Sequence, residues 1–211
     1  RMRIRRGGLG MKRNSFIAGM LIAMGIVVLG DGMCFAEMRF IVNVNPATFL
    51  ISPDADDFSV SSTSAGEEID GNVSWMPTAL AGVEFDADYA VYSLTGGGGY
   101  LYNDAFRSPL VQADGAVRFK TAHMEIGPHV GVLYFIDPEW EGAATVSLDE
   151  SVGILGGISL VIGRGERFRF FGSLDYVNGE FDVTGSSSWR PNQNEIDYSG
   201  ALVQIGAIFG F

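Results

Sequence analysis

The chain closes on eleven residues that alternate. Ala201, Val203, Ile205, Ala207, Phe209 and Phe211 fall on one side; Leu202, Gln204, Gly206, Ile208 and Gly210 fall on the other, with Gly200 at its far end. Successive side chains of a strand point to opposite faces. One face is therefore continuously apolar, and the other carries glycines and a polar group. A strand of this kind wants hydrocarbon on its better face. It has to pair its backbone on both edges if that hydrocarbon is lipid.

The start of the chain points the same way. Met11-Lys12-Arg13-Asn14 precedes the apolar run from Phe16 to Gly30, then Asp31 and the small-residue site Cys34-Phe35-Ala36. A basic segment, a short apolar segment and a small–x–small site are the parts of a secretory signal. At fifteen residues the run is short for a membrane span, which needs about 20. Residues 1–10 read as an upstream extension, 11–36 as the signal peptide and 37–211 as one domain. Asp31-Gly32-Met33 before Cys34 does not fit the usual lipid-attachment site. Cleavage after Ala36 would leave a chain without cysteine, suited to an oxidising compartment without disulfides.

The whole chain has 14 basic and 25 acidic residues. Losing residues 1–36 removes six basic residues and one acidic one, so the net charge moves from −11 to −16. Non-specific nucleic-acid binding requires a basic surface and is excluded.

Eight strand-length segments follow residue 36: Met38 to Ile51 (interrupted by Pro46), Val73 to Phe85, Tyr89 to Tyr102, Leu110 to Phe119, Met124 to Phe135, Ser151 to Ile162, Phe168 to Val177 and Ile196 to Phe211. Most are near the 9–11 residues that cross a bilayer at a tilt. The links alternate in length. Asp86 to Asp88, Lys120 to His123 and Gly163 to Glu166 are short; Ser52 to Asn72, Asn103 to Pro109, Asp137 to Glu150 and Asn178 to Glu195 are long. Membrane barrels have short turns on one side and longer loops on the other. The expected fold is all-β: an eight-stranded, antiparallel, up-and-down transmembrane barrel.

Alternation then sorts the side chains. Glu84, Gln112, Asp114, Arg118, Glu125, Ser159, Arg169, Asp175 and Gln204 fall on the inward faces and form a candidate polar network in the lumen. Eight strands leave an interior just wide enough for side chains to fill, so a plug of paired charges is expected over an ion path. Two aromatic girdles are expected: Phe40, Phe85, Tyr89, Phe119, Phe168 and Phe211 near the turns, and Trp75, Tyr102, Tyr134, Trp140 and Trp189 near the loops.

With these features the chain resembles the small eight-stranded outer-membrane barrels, such as the OmpA transmembrane domain, OmpX and the OmpW-like proteins. The resemblance covers residues 37–211. It implies a bacterial outer-membrane location, with both termini in the periplasm. It also implies that the last strand is the segment the barrel-assembly machinery recognises, through Val203, Ile205, Ala207, Phe209 and Phe211.

Other features point weakly to chemistry. His123 and His129 are the histidines. Some small barrels are lipid-modifying enzymes, but the histidine two residues before a serine used by the deacylase branch is absent, so no enzyme is expected. Asp54, Asp56, Asp57, Glu67, Glu68 and Asp70 crowd the first long link, and Glu139, Glu141, Asp149 and Glu150 the third. Carboxylates suit calcium or magnesium, yet no calcium-loop spacing is present; solvated, mobile loops are expected and no metal or cofactor. Gly96 to Gly99 lacks the following Gly-Lys-Ser/Thr of a phosphate loop and reads as a bend or bulge.

The expected role is structural: a monomer with a plugged polar lumen, whose loops meet lipopolysaccharide or other surfaces. Transport of small solutes or hydrophobic molecules, as in the OmpW-like branch, is the first alternative. A soluble periplasmic ligand-binding barrel is the second.

Overall fold

The computed structural model describes residues 37–52, 55–69, 72–163, 167–186 and 188–211. The extension, the signal segment with Cys34, Asp54, Asp70 and the turn residues Arg164, Gly165 and Glu166 lie outside the described residues.

Eight long strands form the wall: β1 (Glu37–Ile51), β2 (Thr78–Asp86), β3 (Ala90–Tyr102), β4 (Phe106–Lys120), β5 (Met124–Phe135), β6 (Ser151–Ile162), β7 (Phe168–Asn178) and β8 (Gly200–Gly210). Each pairs antiparallel with its neighbours in sequence. β1 also pairs with β8, from Ile41↔Gly210 to Ile51↔Ala201. That last pairing closes the ring and removes the free edge that an open sheet would present.

The outside of the ring is apolar at mid-strand. Leu174 on β7 is 62 % exposed, Ile158 beside it on β6 is 58 %, and Leu94 on β3 is 56 %. Aliphatic groups bared in a continuous band, around a wall whose inner face is polar, fit lipid and not water. This is the architecture of the small outer-membrane barrels. It argues against a water-soluble barrel.

The wall is strongly curved, and inward-facing glycines permit the curvature. A Cβ on Gly82 would overlap the Leu94 carbonyl of β3, and one on Gly127 would overlap the Val117 carbonyl of β4. Strands this close at a narrow corner leave no space for a side chain. Pro128 is tolerated next to Gly127 because the β4–β5 pairing lapses there, between Ala116↔His129 and Phe119↔Ile126.

Proline also shapes β1. The register with β8 jumps between Val44↔Ala207 and Ala47↔Ile205, a bulge at Asn45–Pro46. The extra residue accommodates the missing N–H and reverses the alternation. Ile41, Asn43 and Asn45 point inward before it; Thr48 and Leu50 point inward after it.

Several boundaries differ from those expected. The segment Val73 to Phe85 is broken at Met76-Pro77, because Pro77 has no N–H for the ladder. The short strand Val73–Trp75 resumes beyond the break and pairs with Phe49–Ile51. The link Asn103 to Pro109 is not long. β3 and β4 continue pairing through Tyr100↔Pro109 to Tyr102↔Arg107, leaving only Asn103-Asp104-Ala105 as a tight turn. Asn103 secures that turn: its N–H donates to Phe106 O (2.9 Å), and its Oδ1 accepts from Ala105 N (3.2 Å). Ile196 belongs not to β8 but to Glu195–Asp197, a strand of the loop region.

The loops are folded rather than loose. One three-stranded sheet joins Ser59–Ser61, Gly66–Glu68 and Arg190–Pro191; another joins Val146–Leu148, Glu180–Gly185 and Glu195–Asp197. Their apolar residues continue the core of the barrel's loop end. Trp140 and Trp189 pack on that core, so they do not join the girdle expected of them. Trp75, Tyr102 and Tyr134 do face outward, as do Phe40, Tyr89, Phe119 and Phe168 at the turn end.

Candidate functional site

The inward-facing side chains of the barrel fall into three layers. At the turn end, Glu84 on β2 is the hub of an ion-pair network. Its carboxylate accepts from Arg39 Nε (3.1 Å), from Arg169 Nη2 (2.6 Å) and from Arg118 Nη2. Glu125 on β5 accepts from Arg118 Nε (3.3 Å), with Arg169 Nη1 at 3.8 Å. Arg118 also donates to Ser93 Oγ (3.1 Å) on β3. Five strands are cross-linked by one charged cluster, and β3 joins through Ser93; the charged members apart from Arg39 are almost wholly buried. Charges at this depth are tolerable only when paired.

The middle layer is a hydrogen-bonded chain around the wall. Asn45 Nδ2 donates to Thr78 Oγ1 (3.2 Å) and to Gln204 Oε1 (3.5 Å); Gln204 Nε2 donates to Asp175 Oδ2 (3.4 Å). Ser173 Oγ donates to the same oxygen (2.6 Å). His129 lies between Asp175 (Nδ1–Oδ1 3.0 Å) and Asp114 (Nε2–Oδ2 3.6 Å), and Gln112 Nε2 donates to Asp114 Oδ2 (2.7 Å). Ser159 sits apart, directed at Gly127 O (3.5 Å).

The loop end is apolar. Leu50, Leu101, Leu110, Leu133, Leu155 and Leu202 line it. Phe181 and Tyr198 descend from the last long loop onto Phe135, with ring centroids 5.2 and 5.0 Å away; Phe106 meets Phe181 at 5.5 Å. Edge-on contacts of this kind are favourable for aromatic rings. Ser52 Oγ fastens the Tyr198 backbone (2.8 Å to its carbonyl oxygen).

The residues expected in the lumen thus divide. Glu84, Arg118, Glu125 and Arg169 meet at the turn end; Gln112, Asp114, Asp175 and Gln204 meet at mid-height. Arg39, Asn45, Thr78 and the bridging position of His129 were not read from the sequence. Arg39 could have been found, since Arg39, Ile41 and Asn43 occupy alternate positions of one strand. Asn45 continues that series up to the bulge, and Thr78 shares the parity of Glu84 beyond the Pro77 break. His123 lies exposed in the turn between β4 and β5, remote from this layer. On the last strand, Val203, Ile205, Ala207 and Phe209 hold the outward positions. Phe209 packs on Phe168 (5.4 Å), and Phe211 N donates to Phe40 O (2.9 Å).

One loop carboxylate has a definite task. Glu67 accepts from Trp140 Nε1 (3.1 Å), Ala143 N (2.7 Å) and Ala144 N (3.0 Å), clasping the first long loop to the third. Desolvation opposes its charge, but the donors from Trp140, Ala144 and Ala143 outweigh it and hold the carboxyl below its ordinary value. The clasp is therefore present above the ordinary carboxylate range and is lost as pH falls through the lowered value. Glu67→Gln is expected to speed amide exchange at Ala143 and Ala144 about fivefold, the worth of one modest hydrogen bond. Hydrogen exchange followed residue by residue checks this, and unchanged rates would remove the clasp. Beside it, Asp137, Glu139, Trp140, Val146 and Leu148 border an open cleft of about 340 Å³.

No protein-family model and no curated protein sequence matches this chain. Solved structures do. The chain is similar to the outer membrane protein OprG from Pseudomonas aeruginosa: 14% identity, 82% of this chain and 95% of that one, TM-score 0.47. It is also similar to the outer membrane protein AlkL, determined by solid-state NMR in DMPC lipid bilayers. There the identity is 12%, over 86% of this chain and 94% of that one, with a TM-score of 0.50. At such identity the likeness to AlkL concerns the fold.

Proposed function

We propose that the chain is a bacterial outer-membrane protein with a closed lumen, and that its loop end does its work. What supports this is the succession of three layers of inward side chains: an ion-pair cluster, a hydrogen-bonded layer and an apolar layer. A water-filled path would need open polar surface through all three. The folded loops, tied by the Glu67 clasp and two small sheets, offer the opposite face to partners. Lipopolysaccharide is the proposed neighbour there, against outward Trp75 and Tyr102, and the assembly machinery the proposed reader of β8. The reading assigns no catalysis to either histidine.

Planar-bilayer recording of the purified protein tests the closed lumen. The expected result is no stepwise current in simple salt; reproducible steps would overturn the reading. A second reading is passage of small hydrophobic solutes, favoured by the apolar lining of the loop end. It requires the Phe181–Tyr198 cluster to part, and liposome uptake of an apolar dye distinguishes it.

A further inference from the structure

The middle layer has a charge pattern that a plug alone does not require. We propose that Asp114 and Asp175 form a cation site inside the lumen, and that His129 fills it as a tethered imidazolium.

Both ring nitrogens of His129 face carboxylate oxygens, Asp175 at 3.0 Å and Asp114 at 3.6 Å. A neutral imidazole has one N–H and one lone pair. With either tautomer the lone pair would confront a buried carboxylate. Protons on both nitrogens turn both contacts into attractions.

The charge balance of the bore agrees. Among the described residues, Arg39, Arg118, Arg169 and Lys120 face five inward carboxylates, those of Glu84, Asp86, Asp114, Glu125 and Asp175. An imidazolium at His129 makes the set neutral. Among the described residues, the other inward groups near the histidine by register carry no charge: Ser93 and Thr95 on β3, Gly157 and Ser159 on β6, and Gln204 on β8. Phe171 on β7 presents an edge-on ring at 6.3 Å.

The two carboxylates are also built to receive a cation. Asp114 is 6 % exposed, and among the described residues its Oδ1 has no hydrogen-bond partner. A buried carboxylate oxygen without a donor is costly unless a cation or water meets it. Glycines stand against both acids. A Cβ on Gly131 would overlap Asp114 Oδ1, and one on Gly157 would lie 2.6 Å from Asp175 Oδ1. The space at both carboxylates is thus kept clear of the wall's own side chains. The ligand class is a small cation with N–H donors: imidazolium, ammonium or guanidinium.

The proposal rests on the closed lumen, but its test reads binding and not current. A barrel that conducts yet holds imidazolium would sink the functional reading and leave the cation site standing. His129→Gly is refolded in detergent at about pH 6, alone, with imidazole, or with pyrazole. Imidazole is largely protonated there; its isostere pyrazole is not. Without a probe, the variant is expected to melt roughly 10 °C below the parent, from the two acids left unpaired. Imidazole is expected to restore most of that loss and pyrazole little of it. The triple variant H129G/D114N/D175N is expected to gain nothing from imidazole. Equal rescue by pyrazole would show an ordinary cavity and overturn the proposal, as would a folded H129G indifferent to imidazole. Should H129G fail to fold, nitrogen-15 spectra of the unaltered protein in neutral buffer decide. Two protonated nitrogens on His129 support the site, and one protonated nitrogen overturns it.

Discussion

Glu84→Ala is expected to destabilise the barrel by about 3–5 kcal/mol, the usual consequence of removing one partner from a buried ion pair. Three guanidinium groups converge on this carboxylate from β1, β4 and β7. Arg118 and Arg169 would be left to Glu125, which already receives both, and Arg39 to the partly exposed Asp86 at 3.7 Å. Folded proteins hold a margin of roughly 5–15 kcal/mol, so one substitution would consume much of it. Urea unfolding followed by the shift between folded and unfolded bands on a gel measures the loss. Adding Arg169→Met should restore part of it, because the second change removes one of the stranded charges; the departure from additivity gives the coupling. If E84A unfolds at the same urea concentration as the parent, the hub is decorative, and the lumen is held together by something else.

The elements that made this network legible are local. Period-two alternation within β4, β5 and β7 fixes which side chains point inward, and that is a property of each strand alone. Who meets whom is not. Glu84 and Arg169 are far apart in sequence and meet only because β1 pairs with β8 and closes the ring. In β1 even the facing could not be read from one pattern, since the bulge at Asn45–Pro46 reverses it midway. The apolar upper lumen was hidden for a related reason. β6 is apolar on both faces, so alternation cannot tell Leu155, which points into the bore, from residues that face lipid.

The loops show the same limit more sharply. Their acidic composition reads as solvated and mobile, yet the structure joins Ser61 to Arg190 and Glu67 to Ala143. Each tie is between segments that the barrel brings to one end. Once the wall places these segments together, Phe58, Val60, Ile69, Phe181 and Ile196 have a common core to enter. Loop order here follows from burial that composition does not reveal.

Leu174→Arg is expected to cost about 2–4 kcal/mol in a bilayer, because an arginine on the lipid face at mid-depth has no water to solvate it. Leu174 is central in β7, 62 % exposed, with Ile158 and Val203 beside it on the neighbouring strands. Position is what gives the experiment its force. In a water-soluble barrel the same exposed leucine could become arginine at a cost within about 0.5 kcal/mol, as for most surface changes. The next residue, Asp175, supplies the internal contrast: it is already charged, yet it points into the bore, where Ser173 and His129 receive it. Folding into lipid vesicles, titrated with urea, measures the difference between L174R and the parent. A loss of the stated size places hydrocarbon against β7. Indifference to the substitution would mean that the apolar band never meets lipid, and the membrane reading of this barrel would fail with it.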